Sequence, residues 1–261
     1  MMAAVRRLPS VISKTAIMLS VVYLPMAVAS AKPDALELVR KSFDHYRGLA
    51  SQARIEMIIH RPNWQRHMEM DTWTKGNQDS LVRIIAPAKD EGNATLKKGR
   101  DMYVYNPKVD RVIKLPPSMM SQSWMGSDFS NNDLSKTDAL LTDYTHTLEA
   151  VESHDGHTVH VIKSLPKPMA PVVWGMQRLK IRDDHVLLAQ EFFDEDLQSV
   201  KKMITEEIQM MGGRMFPRIW RMSGTGVAEK YTELHYKELT FLDDLPDRLF
   251  TLNELKSRRR R

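Results

Sequence analysis

DMYVYNPKVDRVIKLPPSMMSQSWMGSDFSNNDL, residues 101–134, contains a change of architecture. Met102 to Tyr105 alternates apolar and polar side chains as a half-buried strand does, and Asn106-Pro107 turns the chain. Arg111 to Leu115 reads as the returning strand. Pro116-Pro117 then ends the pairing, because proline has no N–H to give a ladder. The segment after the prolines is rich in large flexible apolar side chains, Met119, Met120, Trp124 and Met125. It runs into the polar motif Gly126-Ser127-Asp128-Phe129-Ser130-Asn131-Asn132-Asp133. Apolar anchors on a segment beside a sheet read as a flap over an apolar space. They do not read as a catalytic loop.

The same two-residue period governs the chain on either side. One helix comes first: Asp34 is a plausible N-cap, and Leu36, Val39, Phe43 and Tyr46 recur at helical spacing until Gly48. After it Ala53, Ile55, Met57 and Ile59 alternate with polar residues, Arg61-Pro62-Asn63 turns, and Met68, Met70 and Thr72 alternate again. Lys75-Gly76-Asn77 leads into Leu81 to Ala86. Further strands are expected at residues 144–152, 158–165, 176–182, 187–194, 200–211, 214–222 and 231–242. Asp155-Gly156 and Gly212-Gly213 are hairpin signals. Many strands on short turns predict an antiparallel meander, each strand with one apolar face to bury. Helix is available only at the N-terminus and in residues 118–141. The fold class is therefore mainly β: a half-open barrel with an N-terminal helix and a helical lid.

Chemistry-bearing clusters are weak. His154 precedes the Asp155-Gly156 turn, while His157 and His160 are three apart on a strand and point to opposite faces, so no metal site is expected. Asp128 and Asp133 sit among Ser and Asn, where capping and side-chain turns are the ordinary roles; Ser130 or Asn131 is expected to cap a helix running through Leu134. No nucleophile elbow, zincin motif or P-loop occurs, so neither an enzyme nor a cofactor is expected. The apolar group is the informative one. Methionine adapts to varied apolar shapes. Ile55, Met57, Met68, Met70, Met119, Met120, Trp124, Met125 and Phe129 are the candidate lipid-binding residues. Gly126, Ser127, Asp128, Ser130, Asn131 and Asp133 are the candidates for fixing the lid, with Gly126 supplying backbone freedom.

The N-terminus and the charge bound where such a protein works. Arg6, Arg7 and Lys14 precede an apolar run from Thr15 to Val28, and Ala27-Val28-Ala29 and Ala29-Ser30-Ala31 fit the small-x-small cleavage rule. The run is shorter than the ~20 residues a membrane span needs. The chain thus divides into a signal peptide at 1–31, a binding domain at 32–257 and an Arg-rich tail at 258–261. With 0 cysteines there is no site for lipidation, disulfide or thiolate metal binding. The net charge of +5 becomes +2 without the leader's three cations and −2 without Arg258 to Arg261. The basic balance thus belongs to the ends, which argues against nucleic acid and leaves the tail as a solvated end or a contact for an anionic membrane surface.

Several separated blocks carry a family resemblance. They are Arg61-Pro62-x-Trp64 with Thr72-Trp73-x-Lys75-Gly76, Pro87-Ala88-Lys89-x-Glu91-Gly92 with Thr95-Leu96, and Met102-Tyr103-x-Tyr105-x-Pro107 with Arg111. Next come Trp124-Met125-Gly126-Ser127-Asp128-Phe129 with Asp133-Leu134, and Pro168-x-Ala170-Pro171-Val172-Val173-Trp174-Gly175. The last are Gly212-Gly213-Arg214, Trp220-x-Met222 and Leu249-Phe250-Thr251-x-x-x-Leu255. In this order they resemble the LolA-like outer membrane lipoprotein-sorting proteins of Gram-negative bacteria, from about Asp34 to Lys256. The resemblance implies the LolA/LolB fold, an incomplete antiparallel β-barrel with a helical lid over an apolar concavity. It also implies a periplasmic carrier of lipid or lipoprotein acyl chains, paired with an inner-membrane transporter of the RND/MMPL or ABC type. A non-carrier accessory of such a transporter is the alternative. The family's lid-pinning arginine has no aligned counterpart here.

N-terminal sequencing of the osmotic-shock fraction is expected to find cleavage after Ala29 or Ala31; intact Met1 in the membrane pellet is the contrary result.

Overall fold

In the computed structural model, residues 33–135, 138–226 and 228–257 are described. The chain divides into Met1–Lys32 and a body, Pro33–Arg261. The signal-peptide reading and the Arg258–Arg261 tail lie outside the described residues.

The body opens with α1 (Ala35–Arg47), which has the boundaries its capping residues dictate. Asp34 Oδ1 accepts the Leu36 N–H at 3.0 Å, and Gly48 ends the helix with φ 67°. Leu38, Val39 and Phe43 form its buried stripe, and Val39 packs into a cluster with Ile162, Leu179, Ile181 and Trp220.

Thirteen strands among the described residues make one antiparallel sheet. They are β1 (Ala50–Arg61), β2 (Trp64–Lys75), β3 (Asp79–Ala86), β4 (Ala94–Lys98), β5 (Asp101–Asn106), β6 (Arg111–Lys114), β7 (Tyr144–His154), β8 (His157–Pro166), β9 (Met176–Arg182), β10 (Leu187–Phe193), β11 (Ser199–Met211), β12 (Arg214–Gly224) and β13 (Tyr231–Leu242). The order is β6-β5-β4-β3-β2-β1-β13-β12-β11-β10-β9-β8-β7. Every neighbour is also a neighbour in sequence except one pair, β1 and β13, which run antiparallel from Ala50↔Leu242 to His60↔Tyr231. The hairpins form where the turn residues allow it. Asp155 and Gly156 have φ of 49° and 78°, and Gly212 and Gly213 of 56° and 83°, the two left-handed residues that a type I′ turn requires.

The strands at the free edges, β6 and β7, are consecutive in the chain. Their connection must therefore cross the opening of the sheet. It carries two 3-10 turns, Pro117–Met119 and Trp124–Gly126, then α2 (Asn131–Ser135) and α3 (Ala139–Thr142). Helix here is shorter and more broken than expected, because proline, glycine and a run of Ser and Asn favour turns and caps over helix interiors. β4 is a strand that the alternation does not predict. Its first four residues are all buried, so it shows no alternation.

A second core lies on the opposite face of β2 and β3. Trp73, Leu81 and Leu96 pack there against Leu249, Phe250 and Leu255. The latter three come from a 3-10 turn, Asp247–Phe250, and α4 (Leu252–Lys256), also outside the sequence expectations. Arg83 holds this segment by donating to the carbonyls of Glu254 at 2.7 Å and Ser257 at 2.6 Å. Phe250 is 1% exposed, so Phe250→Ala is expected to destabilise the protein by about 3–5 kcal/mol, measured by denaturant unfolding. A loss under about 1 kcal/mol would mean the C-terminal segment is not part of the core.

Candidate functional site

The inner face of the sheet and the β6–β7 connection line a partly open cavity of about 310 Å³. That is within the range of small-ligand sites. Alternation places the wall: Ile55 of β1 pairs across the ladder with Met70 of β2, and Thr72 and Thr74 follow on the same face. Ser80 and Val82 extend it on β3. The far wall is Leu187 and Phe192 of β10, Met203 of β11, Trp220 and Met222 of β12, and Leu234 and Tyr236 of β13. The connection contributes Trp124, Phe129, Leu134, Ala139 and Leu140, and α1 contributes Tyr46 and Arg47.

The sequence-predicted residues divide into three groups. Ile55, Met70, Trp124 and Phe129 line this cavity. Met57 and Met68 do not. They face each other two positions nearer the β1–β2 turn, are 0% and 1% exposed, and are packed with Ile59, Leu115 and Trp124. The pattern that puts them on the inner face is right, but the connection fills the space above them. Met119 and Met125 instead line a second cavity of about 340 Å³ beside β5 and β6, and Met120 packs against the cluster that contains Met57 and Met68. Trp124 borders both cavities, and its indole N–H donates to Thr95 Oγ1 at 3.0 Å. A buried indole needs such a partner, so its orientation is fixed.

Around Trp124 the chain closes on itself. Ser123 and Ser130 form a bridge, Trp124 N–H donates to the Phe129 carbonyl at 2.7 Å, and Ser127 Oγ donates to the Trp124 carbonyl at 2.6 Å. Gly126 sits inside this loop with φ 79°. Its glycine character serves the positive φ of this tight turn. Asn131 ties the loop to the preceding stretch through Nδ2 and the Met119 carbonyl at 2.9 Å, and Asn132 N–H donates to the Met120 carbonyl at 2.8 Å.

Two carboxylates then fasten the connection to the sheet. Asp133 does what a capping residue does: its Oδ2 accepts from the Ser130 N–H at 2.7 Å, and its own N–H donates to Ser130 Oγ at 3.3 Å. Asp133 also receives Lys201 Nζ from β11, in a pair whose side chains are each 9% exposed. The Lys201 ammonium lies 4.9 Å from the Trp174 ring and 5.2 Å from that of Phe192. Asp128 does not cap α2. Its Oδ2 accepts from Arg61 Nη1 at 3.0 Å and Thr232 Oγ1 at 2.6 Å, and Arg61 Nη2 donates to the Gly126 carbonyl at 3.2 Å. Sequence reasoning does not find Arg61, Lys201 and Thr232 as partners. A signal existed for Lys201, which is in phase with Met203 on the inward face of β11. A cation on an apolar face calls for a buried counter-ion.

Polarity rises toward the opposite end. Arg47 is 8% exposed, and its Nε and Nη2 donate to the carbonyls of Gly76 and, at 3.0 Å, Asp79. Burial holds its pKa below the ordinary arginine value. It also pushes the Tyr236 phenol up to about 12. Behind them Lys97, 2% exposed, pairs with Asp138 Oδ1 at 3.0 Å, and burial lowers its pKa too. Elsewhere, His157 Nδ1 is bonded to Asp183 at 2.8 Å, and no group of residues among those described converges as a metal site.

A family model described as "Uncharacterized protein" matches residues 76–257. No curated protein matches the chain. Among solved structures, a DUF1329 family protein from Desulfovibrio piger is 23% identical, with 85% of this chain and 100% of that one covered and a TM-score of 0.76. A LolA superfamily protein from Nitrosomonas europaea is 24% identical over 85% and 99%, with a TM-score of 0.71. A domain from Vibrio parahaemolyticus, described as an outer membrane lipoprotein-sorting protein domain, is 22% identical over 85% and 98%, at 0.74. These likenesses show the fold.

The cavity and the core make different demands. Met57→Ala is expected to cost about 2–5 kcal/mol of stability, as a large-to-small change in a filled core does. Met70→Ala lies on the cavity wall rather than in the filled core and is expected to cost less, with the two compared by thermal melting of ligand-free protein. Equal large losses would make Met70 ordinary core.

Proposed function

The chain belongs to the family matched over residues 76–257 and has the LolA-superfamily fold, and we propose that it is a periplasmic carrier of an acylated cargo, lipid or lipoprotein. The observation that carries this reading is the apolar cavity of about 310 Å³ closed by a connection fastened through Asp128 and Asp133. Burial of an acyl chain contributes about 0.8 kcal/mol per CH₂. A chain of a dozen or more carbons then offsets much of the cost of association without any covalent step. Trp124 and Phe129 close over the chain, while Ile55 and Met70 form the floor.

Release requires the fastenings to part. Removing the partner of a buried charge costs about 3–5 kcal/mol, so the lid stays shut until another surface replaces those contacts. An inner-membrane transporter of the RND/MMPL or ABC type would supply that surface at loading. The lipoprotein-sorting description of the Vibrio parahaemolyticus domain accords with this role. The carrier acts by holding and handing over, and no bond is made or broken.

Native mass spectrometry of the protein purified from its own periplasm is expected to show a bound lipid mass. Trp124→Ala should reduce that occupancy several-fold while leaving the sheet's circular dichroism unchanged. A wild-type protein that is empty there, and stays empty when offered fatty-acyl ligands, would favour the alternative of a transporter accessory that carries nothing.

A further inference from the structure

Two buried cations lie near one end of the cavity, and they are not equivalent. Lys97 has a carboxylate, Asp138, and the Asn77 carbonyl at 2.7 Å. Arg47 has only carbonyl dipoles. Among the described residues its Nη1 makes no hydrogen bond and no carboxylate pairs with its guanidinium. The Asp79 carboxylate next to it is engaged by Lys98 Nζ at 2.6 Å. A guanidinium does not shed its proton in a protein. The cavity wall therefore keeps a buried positive charge with no direct ion pair: Asp138 and Asp79 act on it only at longer range, and a buried charge without a bonded counter-ion is costly.

The wall leading to that charge is graded. Along β2 the inward side chains run from Met70 through Thr72 to Thr74, roughly 13 Å of strand at 3.3 Å per residue. Ser80, half-buried on β3, lines the same end, and its hydroxyl makes no hydrogen bond among the described residues. An apolar half beside Trp124 and Phe129 thus passes into a half with hydroxyls and a lone cation. The Thr72 and Thr74 hydroxyls are already bonded, to the Ala53 carbonyl at 3.3 Å and to Ser51 Oγ at 2.7 Å, so a purely apolar ligand would leave Arg47 and Ser80 unanswered.

We propose that Arg47 is the headgroup site of this cavity, receiving the anionic group of a single-chain amphiphile, a carboxylate or a phosphate monoester. The chain of the ligand lies along Thr74, Thr72 and Met70 toward Trp124, and the free Nη1 and the Ser80 hydroxyl donate to its terminal oxygens. This rests on the carrier reading and narrows it: the cargo is acidic, with its charge inside the protein rather than in the solvent.

The test is competition for a bound fluorescent fatty-acyl probe on the wild-type protein, using palmitic acid, its methyl ester, the matching alcohol and a lysophosphatidic acid of equal chain length. A charge-assisted hydrogen bond corresponds to at least about a tenfold preference. The acid or the phosphate is expected to displace the probe that much more tightly than the alcohol. Whichever of the two leads identifies the source of the charge. In Arg47→Met the acid should fall to the alcohol's affinity while the alcohol is unmoved; circular dichroism checks the fold, and Arg47→Lys should restore part of the preference. Equal competition by acid, ester and alcohol on wild type overturns the headgroup site and leaves the carrier reading standing. A preference that survives in Arg47→Met overturns the assignment to Arg47. Failure of the probe and every lipid to bind removes both readings.

Discussion

The pairing of β1 with β13 is the contact on which the remaining architecture hangs. All other ladders join strands that follow one another in sequence and form as local hairpins or short connections. This one joins the two ends of the body, eleven residue pairs from Ala50↔Leu242 to His60↔Tyr231. Once it forms, the free edges of the sheet can only be β6 and β7. Those edges are linked by the chain between them, so the segment over the opening is a strap fastened at both ends. Loss of this one ladder would separate the Ile55–Met70 wall from the Trp220–Leu234 wall, and there would be no cavity to cover.

Charge and apolar packing divide the work at the strap. Trp124, Phe129 and Leu134 give it an apolar underside, which alone would permit many sliding positions because the hydrophobic effect has no direction. Asp128 with Arg61 and Thr232, and Asp133 with Lys201, give it one position. Buried pairs add little net stability but specify geometry strongly when each partner has its bonds. The resulting closed state has an interior that grades from thioether and indole to hydroxyl and guanidinium.

Much of this is legible in the residues. Alternation and turn chemistry place β1, β2 and the hairpins at Asp155-Gly156 and Gly212-Gly213, and capping chemistry places α1 between Asp34 and Gly48. Those signals are local, and local signals survive folding. β4 is silent because both of its faces are buried. Met57 and Met68 fall on the right face, but whether a face meets a cavity or a packed neighbour depends on what another segment lays over it. The partners of Asp128 and Asp133 lie 104 and 68 residues away for Thr232 and Lys201. No spacing rule in the sequence reaches that far. Arg47 is hidden for a related reason: as the last residue of a helix it reads as a favourable charge at the C-terminal end of a dipole.

The second half of β2 is covered on both sides, with Met70, Thr72 and Thr74 toward the cavity and Trp73 toward Leu249 and Phe250. That arrangement constrains how such a binding wall can evolve. Adding or removing one residue in the strand would turn Trp73 inward and send the wall into the C-terminal core, since every side chain changes face with a one-residue slip. New cargo preferences are reached instead by exchanging side chains at alternate positions while the strand's length stays fixed. Divergence among relatives should therefore concentrate at every second residue of β2, with insertions confined to the turns at 62–63 and 76–78.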